Sequence, residues 1–444
     1  MLNIGFRRAH NYITKRNLMH GHHHIEPSVL VKKELASRQL ILNRPRRLNA
    51  IDMEMVDIIY PHLKSWELSD SQAKVIFMKG LGRALCAGGD VKDLIKKIKD
   101  PSKHDDLGHQ LDTEYEMIHF IATMKKPYIS IMDGIAMGAG GGLLSGLAPF
   151  RIATENTQFA MPETAIGLFC DVGASFFLSR LDGNLGQYIG MSSRIVKAED
   201  ALFSGLATHF VPSSRLAALE AKLSEIDFIS HDKVHEIIEE FAVKKDHKPS
   251  VYTLYGDTLK TINNCFMYEH AEKIMEALEK DGSHFAKETV ETILKRSPTS
   301  VKITLEHIRQ GSKLSLKECL KMEHRLWQTV PFAHDFVEGV TSHVVHKQMP
   351  KWSPKRLEDA DIDDIRVKFF YANVKRQLNF MNSRDFYHFP YARYGLPSEE
   401  EILEVRSKYN LTSVQDTVAW FQENRKDKYG VREKVEDVLY RQEA

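Results

Sequence analysis

The sequence predicts an α/β fold in which a parallel-type sheet is wound right-handedly and gives way to a mainly helical C-terminal region. Three observations carry that expectation. Short continuous apolar runs, Val75-Ile76-Phe77-Met78 among them, have the length and composition of strands buried on both faces. These runs alternate with segments of helical spacing, the pattern of parallel strands joined by crossover helices. From about Ser214 to Arg366 the strand signals stop, and the chain becomes rich in Glu, Lys and Leu.

Taken in order, the first β-like segments are Val29-Leu30-Val31 and Arg38 to Leu42. The second is closed by Asn43-Arg44-Pro45, because proline has no N–H for a strand ladder. Residues 52 to 66 carry Met55, Ile58, Ile59, Leu63 and Trp66 at helical spacing, and Pro61 within that run predicts a kink or break. Val75 to Met78 is read as a strand and Gly80 to Gly89 as a loop. A second unit follows, with a strand at Pro127 to Met132 and a glycine-rich turn from Asp133 to Gly142 that enters a helix. Phe150-Arg151-Ile152-Ala153 is a further strand, leading to Phe159-Ala160-Met161-Pro162-Glu163. No internal repeat of fixed period is visible.

The last stretch differs. Phe380 to Tyr394 holds six aromatics (Phe380, Phe386, Tyr387, Phe389, Tyr391, Tyr394) among Arg384, His388 and Arg393. Such a segment either stacks on nucleic-acid bases and touches phosphates, or straps onto the protein's own surface. Pro397 followed by Ser398-Glu399-Glu400-Glu401 predicts a capped helix start.

At 444 residues, 43% hydrophobic and 27% charged, the chain has room for a full α/β core and a further unit. With 61 basic against 60 acidic side chains, charge gives no sign of polyanion binding over the whole surface. Cys86, Cys170, Cys265 and Cys319 form no CxxC pair, which argues against a disulfide framework or a zinc site and suits a reducing compartment. The first 25 residues carry Arg7, Arg8, Lys15 and Arg16 and no acid, which reads as a mitochondrial transit peptide. The histidines at 20 and 22 to 24 are read as low complexity within it, and no metal is expected.

Chemistry concentrates in two glycine-rich loops that each follow a strand, Cys86-Ala87-Gly88-Gly89-Asp90 and Met137-Gly138-Ala139-Gly140-Gly141-Gly142. Glycine lets a backbone N–H approach a ligand closely, and a helix start favours negative charge. Two such donors aimed at one point form an oxyanion hole, each worth about 3–4 kcal/mol of transition-state stabilisation. The Gly138–Gly142 loop does not fit a dinucleotide fingerprint, since no acidic residue follows at a strand end. Downstream lie Glu163 and Asp171, two carboxylates eight positions apart on either side of a turn. Such a pair can be held in different environments so that their pKa values separate.

The order CAGGD, DGIAMGAGGG, FAMPETAIG, DVGAS resembles the crotonase (enoyl-CoA hydratase/isomerase) superfamily, and within it the branch that hydrolyses 3-hydroxyisobutyryl-CoA. Leu42-Asn43-Arg44-Pro45, Leu48-Asn49-Ala50, Lys321 to Leu326, His334 to Val340 and Pro350-Lys351-Trp352 continue the likeness over about residues 28 to 370. The resemblance implies a crotonase-type ββα superhelical core (28–213), a helical region completing the fold (214–370) and a C-terminal extension (371–444), after a presequence (1–27). It implies that Glu163 attacks the thioester or activates water, and that Asp171 holds the substrate hydroxyl or a proton in transit. Glu114 would line the acyl pocket, and Asn49 and Ala50, near Arg46 and Arg47, would lie along the CoA. Gly89 would give one oxyanion N–H and the second loop the other, at Ala139, Gly140 or Gly141, with Gly140 best placed. No cofactor is implied beyond the coenzyme A of the substrate.

The chain departs from that branch in three places. Ala139 interrupts the glycine run, Cys170 stands where proline is usual, and the chain continues about 70 residues past residue 370. Extensions with a similar Tyr394-Gly395-Leu396-Pro397 stretch mark fungal members of this branch that belong to the mitochondrial small ribosomal subunit. The resemblance therefore implies a second partner, that subunit, with rRNA among the surfaces the extension would meet. A hydratase is disfavoured, because Leu143 and Leu144 stand where hydratases place a second glutamate.

Overall fold

The computed structural model describes residues 26–227 and 230–443. The basic, histidine-containing start, and with it the transit-peptide reading, lies almost wholly outside the described residues.

A six-stranded sheet runs β1(Val29–Glu34)-β2(Ser37–Leu42)-β3(Val75–Gly80)-β5(Tyr128–Met132)-β7(Phe150–Ala153)-β10(His209–Phe210). Its first pair is an antiparallel hairpin and every later neighbour is parallel. A second sheet is built from three-residue and two-residue strands, β4(Ala84–Cys86)-β6(Ile135–Met137)-β8(Gln158–Ala160)-β9(Val196–Lys197). Thus β3, β5 and β7 are each followed in the chain by one strand of the second sheet, and three turns of a spiral result. The regions expected to be plain loops, Gly80–Gly89 and Asp133–Gly142, contain β4 and β6. Runs of three residues are too short for periodicity to reveal.

Alternation along the central strands divides the core. Ile76, Met78, Tyr128 and Met132 face one apolar cluster, while Val75, Phe77, Ile129, Ile131, Phe150 and Ile152 face another. The second is covered by the helices Leu216–Ser224 and His231–Phe241. Burial on both faces is why these strands read as continuous apolar runs. The Met53–Leu68 helix is unbroken at Pro61, against expectation: Pro61 is exposed, and buried Met55, Ile59, Leu63 and Trp66 hold the opposite face.

Residues 371–394 run without regular structure until a 3-10 turn at Ala392–Tyr394, and they are docked on the protein itself. Phe380 lies against His119, Phe386 against Phe176, and Tyr391 stacks on His231. Tyr394 is 2% exposed and donates from its hydroxyl to Asp232 Oδ1 at 2.7 Å. Of the two sequence readings of this segment, the strap is the one that forms. Tyr394 is buried and Phe380, Phe386, Phe389 and Tyr391 are half-buried, while Tyr371 and Tyr387 are exposed. The helix after Pro397 is capped as expected, with Glu401 N–H donating to Ser398 Oγ at 3.1 Å. Together with Val414–Asn424 and Val431–Glu443 it closes a small core of its own around Ile402, Phe421 and Val435. Lys434 ties this unit back to Asp182 at 2.7 Å.

Candidate active site

Glu163 follows β8 through Met161 and Pro162 and opens a 3-10 turn, Glu163–Ile166. The turn is closed by Gly167 at φ 77°, where a Cβ would stand 2.0 Å from the Asp335 carbonyl oxygen. Glu163 is 5% exposed and its Oε2 has no hydrogen-bond partner. Burial, then the charge of Asp171, pushes its pKa well above the usual carboxylate range. An unpartnered buried carboxyl is expensive to keep, and its persistence at one place marks a site arranged for a reaction partner.

The two glycine loops meet at this carboxylate. A Cβ on Gly138 would lie 2.9 Å from Glu163 Oε1 and 3.4 Å from the Gly88 Cα, so glycine there is required for the approach. Gly138 N–H donates to the Ala160 carbonyl and Ile51 N–H to the Gly88 carbonyl, fixing both loops to neighbouring strands. The N–H groups of Gly89, Ala139 and Gly141 donate to no acceptor among the described residues. Gly140 does: its N–H donates to the Met137 carbonyl at 2.9 Å, and its Cα packs onto Cys86. That turn bond occupies the N–H from which the second oxyanion contact was expected. Gly141 faces the Phe159 ring, which a Cβ would approach to 2.7 Å.

Asp171 is buried, and Trp327 Nε1–H donates to its Oδ2 at 2.5 Å. Burial raises its pKa to about 6 against the opposing pull of that indole. Glu114, half-buried, takes a hydrogen bond from Gln110 at 2.9 Å and is raised to about 7 by burial, with Asp171's charge adding to the rise. Cys170 has a thiol pushed well up by burial and by Glu163, and it donates to the Gly190 carbonyl at 3.5 Å.

Sequence reasoning gave Glu323 no role, although its stretch was singled out. It is fully buried, accepts from Gly173 N–H at 2.7 Å, Ser175 N–H at 2.8 Å and the Tyr115 hydroxyl at 3.3 Å, and is raised to about 7 by burial. It thereby fixes the loop that carries Asp171. Its sequence distance of some 150 positions left no local signal.

Asn49 is corrected as well. Its side chain is wholly buried, donates to the Leu81 and Ala84 carbonyls and accepts from Arg44 N–H, so it pins the loop instead of facing a ligand. Arg46 and Arg47 are exposed, with Arg47 paired to Asp90 at 3.1 Å. One group with metal-ligand chemistry, His209, His235 and Glu239, lies elsewhere. Glu239 there is also paired with Lys428.

The arrangement suits a reaction in which a carbonyl oxygen gains charge between two N–H donors while a carboxylate acts beside it. Comparison with known proteins agrees. Residues 37–370 match the model of the family described as enoyl-CoA hydratase/isomerase. A small ribosomal subunit protein mS47 of Neurospora crassa is 37% identical over 426 residues, covering 91% of this chain and 83% of that protein. A mitochondrial 3-hydroxyisobutyryl-CoA hydrolase of Rattus norvegicus is 41% identical over 355 residues, covering 79% of this chain and 91% of that one. Among solved structures, a carnitinyl-CoA dehydratase of Mycobacterium thermoresistibile superposes with a TM-score of 0.72 at 31% identity, covering 80% of this chain and 99% of that one.

Proposed function

Since the chain belongs to the enoyl-CoA hydratase/isomerase family, we propose that it hydrolyses 3-hydroxyisobutyryl-CoA to 3-hydroxyisobutyrate and CoA in the mitochondrial matrix, a step of valine breakdown. The observation that carries this reading is the buried Glu163 carboxyl, its Oε2 without a hydrogen-bond partner among the described residues, held against Gly138 between two loops with free N–H groups. Gly89 and Ala139 are the oxyanion donors: Gly140 is committed to its turn, and Gly141 faces the core. Because burial and mutual repulsion keep Glu163 and Asp171 from ionising together, the pair holds one proton near neutral pH. Burial and repulsion leave that proton resting on Glu163; once it has passed to Asp171, ionised Glu163 attacks the thioester carbonyl or takes a proton from an attacking water. The tetrahedral oxyanion rests on the two N–H groups. Collapse expels the thiolate, which takes up a proton, and water supplies the hydroxyl of the acid product. Glu114 lines the acyl pocket, and no cofactor beyond the CoA of the substrate is required.

Glu163→Gln is expected to reduce turnover by about a thousandfold or more while CoA still binds; unchanged hydrolysis would refute the assignment. Single turnover in 18O-labelled water tests the covalent route, since label enters the Glu163 side chain only when water opens an acyl-enzyme anhydride at the glutamyl carbonyl.

A second role rests on coverage. The Neurospora crassa ribosomal protein aligns over 91% of this chain, against 79% for the rat hydrolase. We propose that the protein is also a component of the mitochondrial small ribosomal subunit, with the 371–444 region on the subunit's side. Sedimentation of a mitochondrial lysate checks this: the protein should travel with the small subunit, and recovery only at the top of the gradient excludes it.

A further inference from the structure

The Leu316–Trp327 helix and the His104–Thr123 helix supply most of the groups that surround Asp171. Glu323 holds the Gly173–Ser175 backbone, Trp327 holds Asp171 itself, Tyr115 reaches Glu323, and Glu114 stands beside them. A second polar bridge joins the two helices. His324 Nε2 pairs with Asp112 Oδ1 at 2.7 Å.

Arg376, from the C-terminal extension, completes that bridge. Its guanidinium donates to Asp112 Oδ2 through Nε at 3.0 Å and Nη2 at 2.6 Å. Its own backbone is held twice by Gln328, the residue next to Trp327: Arg376 N–H donates to Gln328 Oε1 at 3.0 Å, and Gln328 Nε2 donates to the Arg376 carbonyl at 3.1 Å. One residue therefore grips both helices. The first helix makes room for it at Gly108, where a Cβ would lie 2.7 Å from Arg376 Cδ. The family match ends at residue 370, so this clamp comes from outside the part that defines the family.

We propose that Arg376 is a positioning residue for the acyl-CoA reaction, acting through Asp112 and Gln328 to hold Glu114 and Trp327 where Asp171 needs them. The inference rests on the function proposed above. It makes the extension part of the enzyme, so that whatever grips residues 371–394 also acts on the site.

The test compares Arg376→Ala and Arg376→Lys with the full wild-type chain in two ways. Hydrogen exchange of the Trp327 indole N–H, followed by NMR, reads the Trp327–Asp171 bond directly and needs no turnover. It should quicken about tenfold in Arg376→Ala, while the Trp352 indole, which donates to the Lys295 carbonyl, stays unchanged. Steady-state hydrolysis of 3-hydroxyisobutyryl-CoA should show kcat down by about tenfold with KM within about twofold. Arg376→Lys, which keeps the charge but loses the fork, should recover part of both. Unchanged exchange and unchanged kcat in Arg376→Ala would overturn the clamp. If Arg376→Ala does not fold, Arg376→Lys and Asp112→Asn carry the same two measurements. A wild-type chain without hydrolysis would overturn the proposed function instead, and indole exchange would still decide the clamp.

Discussion

At the scale of single residues, the site is a set of carboxyl groups separated by their surroundings. Glu163 has one oxygen, Oε2, without a hydrogen-bond partner among the described residues, Asp171 has an indole donor, Glu323 has backbone donors, and Glu114 has a glutamine amide. Glu114 offers a clean test of what such burial does to the fold. Its folded pKa of about 7 stands above its ordinary value of 4.5, so the folded state keeps a proton that the unfolded chain gives up. That contribution to stability is complete below pH 4.5 and is lost as pH rises through about 7. Glu114→Gln removes it, so urea midpoints of the variant should rise more steeply, or fall less, between pH 4.5 and 7 than those of wild type. Parallel curves would mean that Glu114 is not held as described. Much of this residue scale was legible in sequence, because Glu163, Asp171, Gly89 and the second glycine loop are local motifs. The commitment of the Gly140 N–H to a turn was not, since it rests on one hydrogen bond to the Met137 carbonyl. Glu323 escaped because its partners are distant in the chain.

At the scale of elements, the long strands and the helical region were legible from apolar runs and periodicity, whereas β4, β6 and β8 were not. These strands are defined by their pairing with one another, and a sequence of three residues carries no pairing information. The Met53–Leu68 helix shows the opposite failure. Pro61 is a local signal for a break, and tertiary packing of Ile59, Leu63 and Trp66 overrides it. The helix still forgoes one backbone hydrogen bond there. Pro61→Ala, on the exposed face, should therefore raise the unfolding free energy by about 1–3 kcal/mol, read as a higher urea midpoint with unchanged slope. A lower midpoint would show that the ring is needed where it is.

At the scale of the whole molecule, the extension is joined to the body by buried polar contacts as well as aromatic packing. Lys434 reaches Asp182, Lys428 reaches Glu239, and Asp437 accepts from Gly256 N–H at 2.6 Å. Composition alone could not choose between a nucleic-acid arm and a strap, because both are basic and aromatic. The body decides it by offering His119, Phe176, His231 and Phe150 as partners. Removing residues 371–444 uncovers Phe150 and leaves the ammonium partners of Asp182 and Glu239 missing. Such a chain should melt well below the full protein, by about 5 °C or more in a thermal scan, since several kcal/mol of contacts are lost. An unchanged melting point would show the extension to be an independent passenger.

The bond between Gly256 and Asp437 spans 181 residues. A polypeptide made at about 5–20 residues per second needs roughly 10–35 s to cover that distance. During this interval the strands and Glu163 are already outside the translating machinery, while Asp182, Glu239 and Gly256 wait for partners not yet synthesised. The flank around Gly256 therefore cannot close until the Val431–Glu443 helix has been made.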